Sequence, residues 1–182
     1  MAVESIEIPL GTVMPKFRLP DPYGKSHDGG DLYGSRGLLV IFTCNHCPYA
    51  KAVWPHTIKI AQDVRSLGIN TVAINPNLNP DYPEDAPGIM KQRIKEWGIP
   101  FPYLVDESQN VAREFKAQCT PDIYLFDKER KLVYHGRIDD NWQDETKVTR
   151  RELWAAIKNL SQGKPISSEQ WPSLGCSIKW RK

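Results

Sequence analysis

The chain has 182 residues, with 24 basic and 22 acidic side chains, a net charge of +2, 40% hydrophobic residues and 25% charged ones. That length fits one domain with additions, and that composition is ordinary for a chain able to bury a core. The near-balance of charge excludes an electrostatic case for nucleic acid or an anionic membrane as partner, and the basic end Lys179, Arg181 and Lys182 reads as a solvated tail.

Met1-Ala2-Val3-Glu4-Ser5 carries an early acid and is not followed by a continuous apolar stretch. The sequence therefore predicts no secretory leader and no membrane span, and a cytoplasmic location. Residues 11–36 are punctuated by Gly, Pro and Asp around Lys16-Phe17-Arg18-Leu19, which predicts short strands and turns. Leu38-Leu39-Val40-Ile41-Phe42 is a continuous apolar run, the pattern of a strand buried on both faces. After Cys47 a helix is expected as far as Gly68, with Val53, Ile60, Val64 and Leu67 at helical spacing. Thr71-Val72-Ala73-Ile74 is the next strand, followed by a loop from Asn75 to about Pro87. Turn formation accounts for Asn75, Asn77 and Asn79 as well as a place on a reactive face does.

A second helix is expected over residues 88–97, with Met90, Ile94 and Trp97 on one face. Tyr103-Leu104-Val105 makes a short strand, and a short helix follows at about 109–116. Ile123-Tyr124-Leu125-Phe126 and Leu132-Val133-Tyr134 flank the polar turn Asp127-Lys128-Glu129-Arg130 as an antiparallel hairpin. Arg137, Asp139, Asp140 and Asn141 gather charge after it, and a salt-bridged loop is preferred over a catalytic set. The last helix has Thr149 and Glu152 as a capping box, Leu153, Ala156, Ile157 and Leu160 as its apolar stripe, and Gly163 and Pro165 as its stop. The whole chain reads as a single domain, its core about 11–160. Residues 161–182 form a tail that packs on it through Trp171, Leu174, Ile178 and Trp180.

Four cysteines are too few to staple a secreted scaffold of this length. Cys44 and Cys47, however, lie between the most buried strand and the helix after it. A Cys-x-x-Cys spacing lets two sulfurs meet in a small ring, and a helix N-terminus stabilises an attacking thiolate. His46 adds an imidazole as a candidate thiolate partner. The competing reading is half of a zinc site, which would need Cys119, Cys176, His27, His56 or His135 to gather by folding. Redox chemistry is the preferred reading, with no metal and no cofactor.

The order βαβα, then a ββ hairpin, then α, resembles the thioredoxin arrangement: an α/β fold with a central mixed sheet flanked by helices. Thr43-Cys44-Asn45-His46-Cys47-Pro48-Tyr49, with Thr120-Pro121 before a hydrophobic strand, resembles the thioredoxin superfamily and, more narrowly, the peroxiredoxin-like proteins of the AhpC/TSA group. The likeness extends through Met14-Pro15-Lys16-Phe17-Arg18-Leu19-Pro20-Asp21, Tyr82-Pro83-Glu84-Asp85, Phe101-Pro102-Tyr103-Leu104, His135-Gly136-Arg137-Ile138-Asp139-Asp140 and Gly175-Cys176-Ser177-Ile178-Lys179-Trp180. It implies a cis bond at Thr120-Pro121, facing the sulfurs beside an edge where an extended substrate can pair. It also implies dithiol–disulfide exchange, with a protein or small-molecule disulfide and a thiol reductant as partners. Cys119 reads equally as a third redox thiol or a buried small residue. Cys176 reads as a buried structural residue in preference to a distant resolving thiol. The oligomeric state is not legible.

The alternative function is a thiol-dependent peroxidase with Cys47 as the oxidised cysteine. Peroxiredoxins support that cysteine with a Thr three residues earlier and an Arg from a neighbouring strand. Here Thr43 stands four residues before Cys47, and the Arg position falls near Pro121. Both supports are displaced, so exchange is favoured.

Which sulfur attacks is a question of register. By analogy with thioredoxin the first cysteine, Cys44, is the nucleophile. The resemblance also places an aromatic about five residues before the nucleophile and a Pro eight after it. Phe42 and Pro55 satisfy both counts for Cys47, whereas Cys44 meets Leu39 and Ala52. Pro48 suits the first helical position, which makes Cys47 the N-cap. Cys47 is therefore the expected attacking thiol and Cys44 the resolving one.

Overall fold

The computed structural model describes residues 1–181, so Lys182 of the basic tail lies outside the described residues. Its centre is the apolar run read from the sequence, now strand β4 (Gly37–Phe42), buried at all six positions. β4 pairs in parallel with β5 (Ile69–Asn75) and antiparallel with β8 (Asp122–Asp127). β6 (Tyr103–Val105) extends the sheet beyond β5, and β9 (Leu132–Gly136) extends it beyond β8. The order β6-β5-β4-β8-β9 is a mixed, thioredoxin-like sheet.

Two-residue alternation in β4 builds two cores at once. Leu38, Val40 and Phe42 pack with Phe17, Leu19, Phe115, Tyr124 and Phe126 on one face. Leu39 and Ile41 pack on the other with Val53, Ile60 and Val64 of helix α1 (Pro48–Arg65) and with Leu153, Ala156 and Ile157 of helix α4 (Glu152–Ser161). Each such fully buried aliphatic or aromatic side chain contributes about 1.5–3 kcal/mol. Helix α2 (Pro87–Trp97) covers the β6 side through Met90, with Trp54, Tyr103 and Leu78, and ends at Gly98. The left-handed φ of +63° there is one that glycine adopts without a Cβ clash. Outside this sheet lie the β2 (Arg18–Pro20) and β3 (Ser26–Asp28) ribbon and the short helix α3 (Asn110–Glu114).

Two departures from the sequence reading matter. The expected capping box is not formed: α4 begins at Glu152 behind Arg151. The Thr149 hydroxyl is turned to the carboxylate of Asp140, and Glu152 pairs with Arg137. A charge-assisted bond to each of these groups outcompetes a cap that would only join neighbours in sequence.

The second departure concerns the ends of the chain. β1 (Ala2–Glu4), β10 (Leu174–Ser177) and β7 (Cys119–Thr120) form a separate antiparallel sheet in the order β1-β10-β7. Both strands outside the 11–160 core are thereby carried to the segment preceding Pro121. In the tail, Ile178 is buried and Trp180 packs on the first core, under the Arg113 guanidinium at 4.4 Å. Trp171 and Leu174 are each 38% exposed, and the Trp171 ring lies against the Arg137 and Arg150 guanidiniums at 5.2 and 5.5 Å. Among the described residues no helix is long and apolar enough to cross a membrane.

Candidate active site

The end of β4 and the start of α1 place Cys44 and Cys47 together, both with 0% exposure. Cys47 is the N-cap of α1, Pro48 opens the helix, and Pro55 lies inside it, as the register required. The Thr120-Pro121 bond is cis, and Thr120 faces both sulfurs. Its hydroxyl is 3.2 Å from the Cys44 sulfur, and its carbonyl oxygen lies 3.2 Å from the Cys47 sulfur, an acceptor for that thiol when it is protonated.

The two thiols are driven apart in acidity. Cys47 is lowered to about 4, chiefly by the hydrogen bond that Cys44 donates. Burial opposes this, while the Cys176 thiol and the backbone N–H groups of Ala50 and Cys176 add to the lowering. Donors to the sulfur thus outweigh desolvation. Cys44 is pushed well above its ordinary range by burial, by its role as donor to Cys47 and by the Asp85 charge, against a small opposite pull from the Thr120 hydroxyl. One sulfur is held ionised and its neighbour held protonated, which is the condition for attack by the first and resolution by the second.

Acid-range alkylation followed residue by residue checks this division. Cys47 is expected to gain reactivity as pH rises through about 4, while Cys44 stays protonated beyond the ordinary thiol value of 9.0. Reaction of Cys44 at the lower pH would reverse the assignment.

Among the described residues no hydrogen bond joins His46 to either sulfur, and its Nε2 is buried without a partner. Its Nδ1 is bonded to the carboxylate of Asp85 and its ring lies 4.5 Å from that of Tyr82, centroid to centroid. A buried carboxylate is a stronger partner for an imidazole than a sulfur already supplied with donors. Asp85, with 0% exposure, also accepts from the Asn45 N–H at 2.6 Å and the Asn75 amide at 3.2 Å. Asn45 is fixed further by donating to the Glu84 carbonyl and accepting from Tyr103. The Trp54 indole donates to the Cys44 carbonyl at 3.2 Å. This network locks the Cys-x-x-Cys loop against the segment after β5, and sequence reasoning passed over its hub. Asp85 lay inside a quoted stretch, but a lone acid in a loop gives no sign of burial.

The other cysteines separate. Cys119 is buried on β7 and pushed upward by desolvation and the Asp122 charge, with its thiol directed at the Pro121 carbonyl at 3.5 Å. Cys176 is partly exposed, and it packs against Cys44, Cys47 and Ala50. It is neither distant nor a core residue. The fold does not gather the histidines of the zinc reading: His27, His56 and His135 pair with Asp21, Asp139 and Asp122 at 2.9, 3.1 and 2.9 Å. Among the described residues Cys44, His46 and Asp85 do offer donor atoms within 4.8 Å of one another. Yet that set omits Cys47 and spends the carboxylate on two amides. Arg137, Asp139, Asp140 and Asn141 form a bonded loop, with Asn141 accepting from the N–H groups of Gln143 and Asp144. A cavity of ≈ 330 Å³ opens beside Pro121, lined among others by Val53, Trp142, Trp171 and Leu174.

Comparison with known proteins agrees with this geometry. The model of the AhpC/TSA family matches residues 10–135. The thiol-disulfide oxidoreductase ResA of Halalkalibacterium halodurans is 25% identical over 118 residues, which are 64% of this chain and 62% of that protein. The matched part thus spans less than two thirds of that relative's length. The crystal structure of an uncharacterized conserved protein from Geobacillus kaustophilus superposes with a TM-score of 0.94 at 42% identity, covering 100% of this chain and 97% of that one. The thioredoxin domain of a thiol-disulfide oxidoreductase from Bacteroides vulgatus shares the fold, with a TM-score of 0.59 at 20% identity over 71% of this chain and 89% of that one.

Proposed function

Because the chain belongs to the AhpC/TSA family, by the match over residues 10–135, we propose that it is a thiol–disulfide oxidoreductase working through Cys47 and Cys44. The observation that carries this is the pair of adjacent sulfurs, with Cys47 held ionised by a hydrogen bond from Cys44. The name of the 25% identical relative supports the same class.

In the reducing direction the Cys47 thiolate attacks a substrate disulfide. One sulfur–sulfur bond forms at Cys47, the substrate bond breaks, and the released thiolate takes a proton. Neutralising Cys47 removes the charge that opposed ionisation of Cys44. Cys44 then attacks the Cys47 sulfur and expels the second substrate thiolate, leaving a Cys44–Cys47 disulfide. The substrate gains two electrons and the pair loses two, and a thiol reductant restores the pair.

The peroxidase alternative is less well supported. Thr120, and not Thr43, meets the sulfurs, and none of the principal groups lowering Cys47 is a guanidinium. The test is turnover of a model disulfide against hydrogen peroxide with one reductant, alongside peptide mapping of oxidised protein alkylated without reduction. Cys44 and Cys47 protected together, with the disulfide preferred, is the expected result. Both thiols freely alkylated after mild oxidation would sink the reading. Efficient peroxide turnover lost in Cys47→Ser would hand it to the alternative.

A further inference from the structure

β10 occupies the edge that flanks Pro121. It runs antiparallel to β7 with Cys176 opposite Thr120 and Ser177 opposite Cys119. The approach is close enough to require glycine next door: a Cβ on Gly175 would stand 2.2 Å from the Thr120 carbonyl oxygen and 3.0 Å from the Pro121 nitrogen. From the other side β1 clasps the strand, pairing Ala2 with Cys176 and Val3 with Gly175, and the Ser177 N–H donates to the Met1 carbonyl at 3.1 Å. A segment of the chain itself therefore lies, in extended form, where an extended substrate would pair.

That placement sets a sulfur on the reactive pair. Thr120, opposite Cys176, is the residue whose carbonyl meets the Cys47 sulfur. Cys176 packs against the cluster of Cys44, Cys47 and Ala50, and its thiol and backbone N–H are among the groups that lower Cys47. Cys44 and Cys47 have no exposure, whereas Cys176 is partly exposed. Of the three cysteines at this site, Cys176 is the one with solvent exposure.

We propose that Cys176 is the third redox thiol of the site, forming a disulfide with Cys47 and exchanging it with external thiols and disulfides at the surface. This rests on the thiol–disulfide exchange reading above. In the oxidising direction an external dithiol's thiolate attacks the Cys176 sulfur of a Cys47–Cys176 disulfide. That bond breaks with Cys47 as the leaving thiolate, and a mixed disulfide forms on Cys176. The second external thiolate then attacks the first substrate sulfur and expels Cys176, which takes a proton. The external dithiol loses two electrons and the Cys47/Cys176 pair gains them. Cys47, lowered to about 4, is the best leaving group of the three. Attack of Cys44 on the Cys47 sulfur moves the bond inward to Cys44–Cys47 and frees Cys176, with no net electron transfer.

The experiment uses the full chain, reduced, then exposed to oxidised glutathione, quenched by alkylation and digested without reduction. In Cys44→Ser the expected product is a peptide linking Cys47 to Cys176. In Cys176→Ser the Cys44–Cys47 link is expected to persist while reduction of the oxidised protein by reduced glutathione slows. A Cys44→Ser protein with glutathione on Cys47 and Cys176 freely alkylated would overturn the proposal. So would Cys176→Ser being reduced at the unsubstituted rate, and in that case the Cys44/Cys47 reading stands. Failure of the unsubstituted protein to link Cys44 to Cys47 would instead bring down the exchange reading itself.

Discussion

Serine in place of Cys47 is expected to reduce thiol–disulfide exchange to the uncatalysed background while the fold stays in place. The loss follows from the acidity: lowered to about 4, the Cys47 sulfur is ionised at neutral pH, and a serine hydroxyl is not. The fold survives because serine is a preferred N-cap residue. Its hydroxyl can also donate to the Thr120 carbonyl oxygen, which lies 3.2 Å from the sulfur. The substitution carries a second signature in the reduced protein. A folded-state pKa below the unfolded value contributes stability that is complete above the unfolded pKa and disappears as pH falls through the folded one. For Cys47 that window runs from the ordinary 9.0 down to about 4. Denaturant midpoints of the reduced original and of Cys47→Ser should therefore converge as pH falls across that window. Exchange that survives in Cys47→Ser, or midpoints that keep a constant gap, would remove Cys47 from the attacking role.

The parts of this site that could be read from sequence are those built by local pattern. The run from Leu38 to Phe42 could only be a buried strand. Pro48 behind Cys47 suits the first helical position, and with the register of Phe42, Cys47 and Pro55 it marks Cys47 as the N-cap thiol. What stayed illegible depends on pairings across long separations. Asp85 reaches Asn45 and His46 from 40 and 39 residues away, and no periodicity announces a single buried acid. Cys176 reaches the site through a four-residue strand whose only internal cue, Gly175, looks like a loop glycine until Thr120 is seen against it. His46 failed for a related reason. Adjacency in sequence brought it near the sulfurs, but the carboxylate that captured it came from another part of the chain.

Asp85→Ala is expected to destabilise the reduced protein by about 1–3 kcal/mol or more, the range for leaving a buried donor without its acceptor. The carboxylate is fully buried and serves three donors: the Asn45 N–H, the Asn75 amide and His46 Nδ1. Alanine leaves them facing a space with no acceptor, and buried unsatisfied donors are costly singly. Asp85→Asn separates hydrogen bonding from charge. Its amide oxygen still accepts from the loop, so the stability loss should be smaller, but the negative charge that raises Cys44 is gone. The sign is fixed: without a nearby anion the Cys44 thiolate is less disfavoured, and its pKa falls. A more acidic Cys44 is ionised in a larger fraction once Cys47 is held in a mixed disulfide, so resolution by Cys44 should be faster in Asp85→Asn. Urea midpoints of both variants, thiol titration of Cys44 and the rate at which Cys44 displaces a thiol held on Cys47 measure the three effects. Asp85→Asn that lowers stability as much as alanine, with Cys44 unmoved, would show Asp85 to be a packing residue with no electrical hold on the pair.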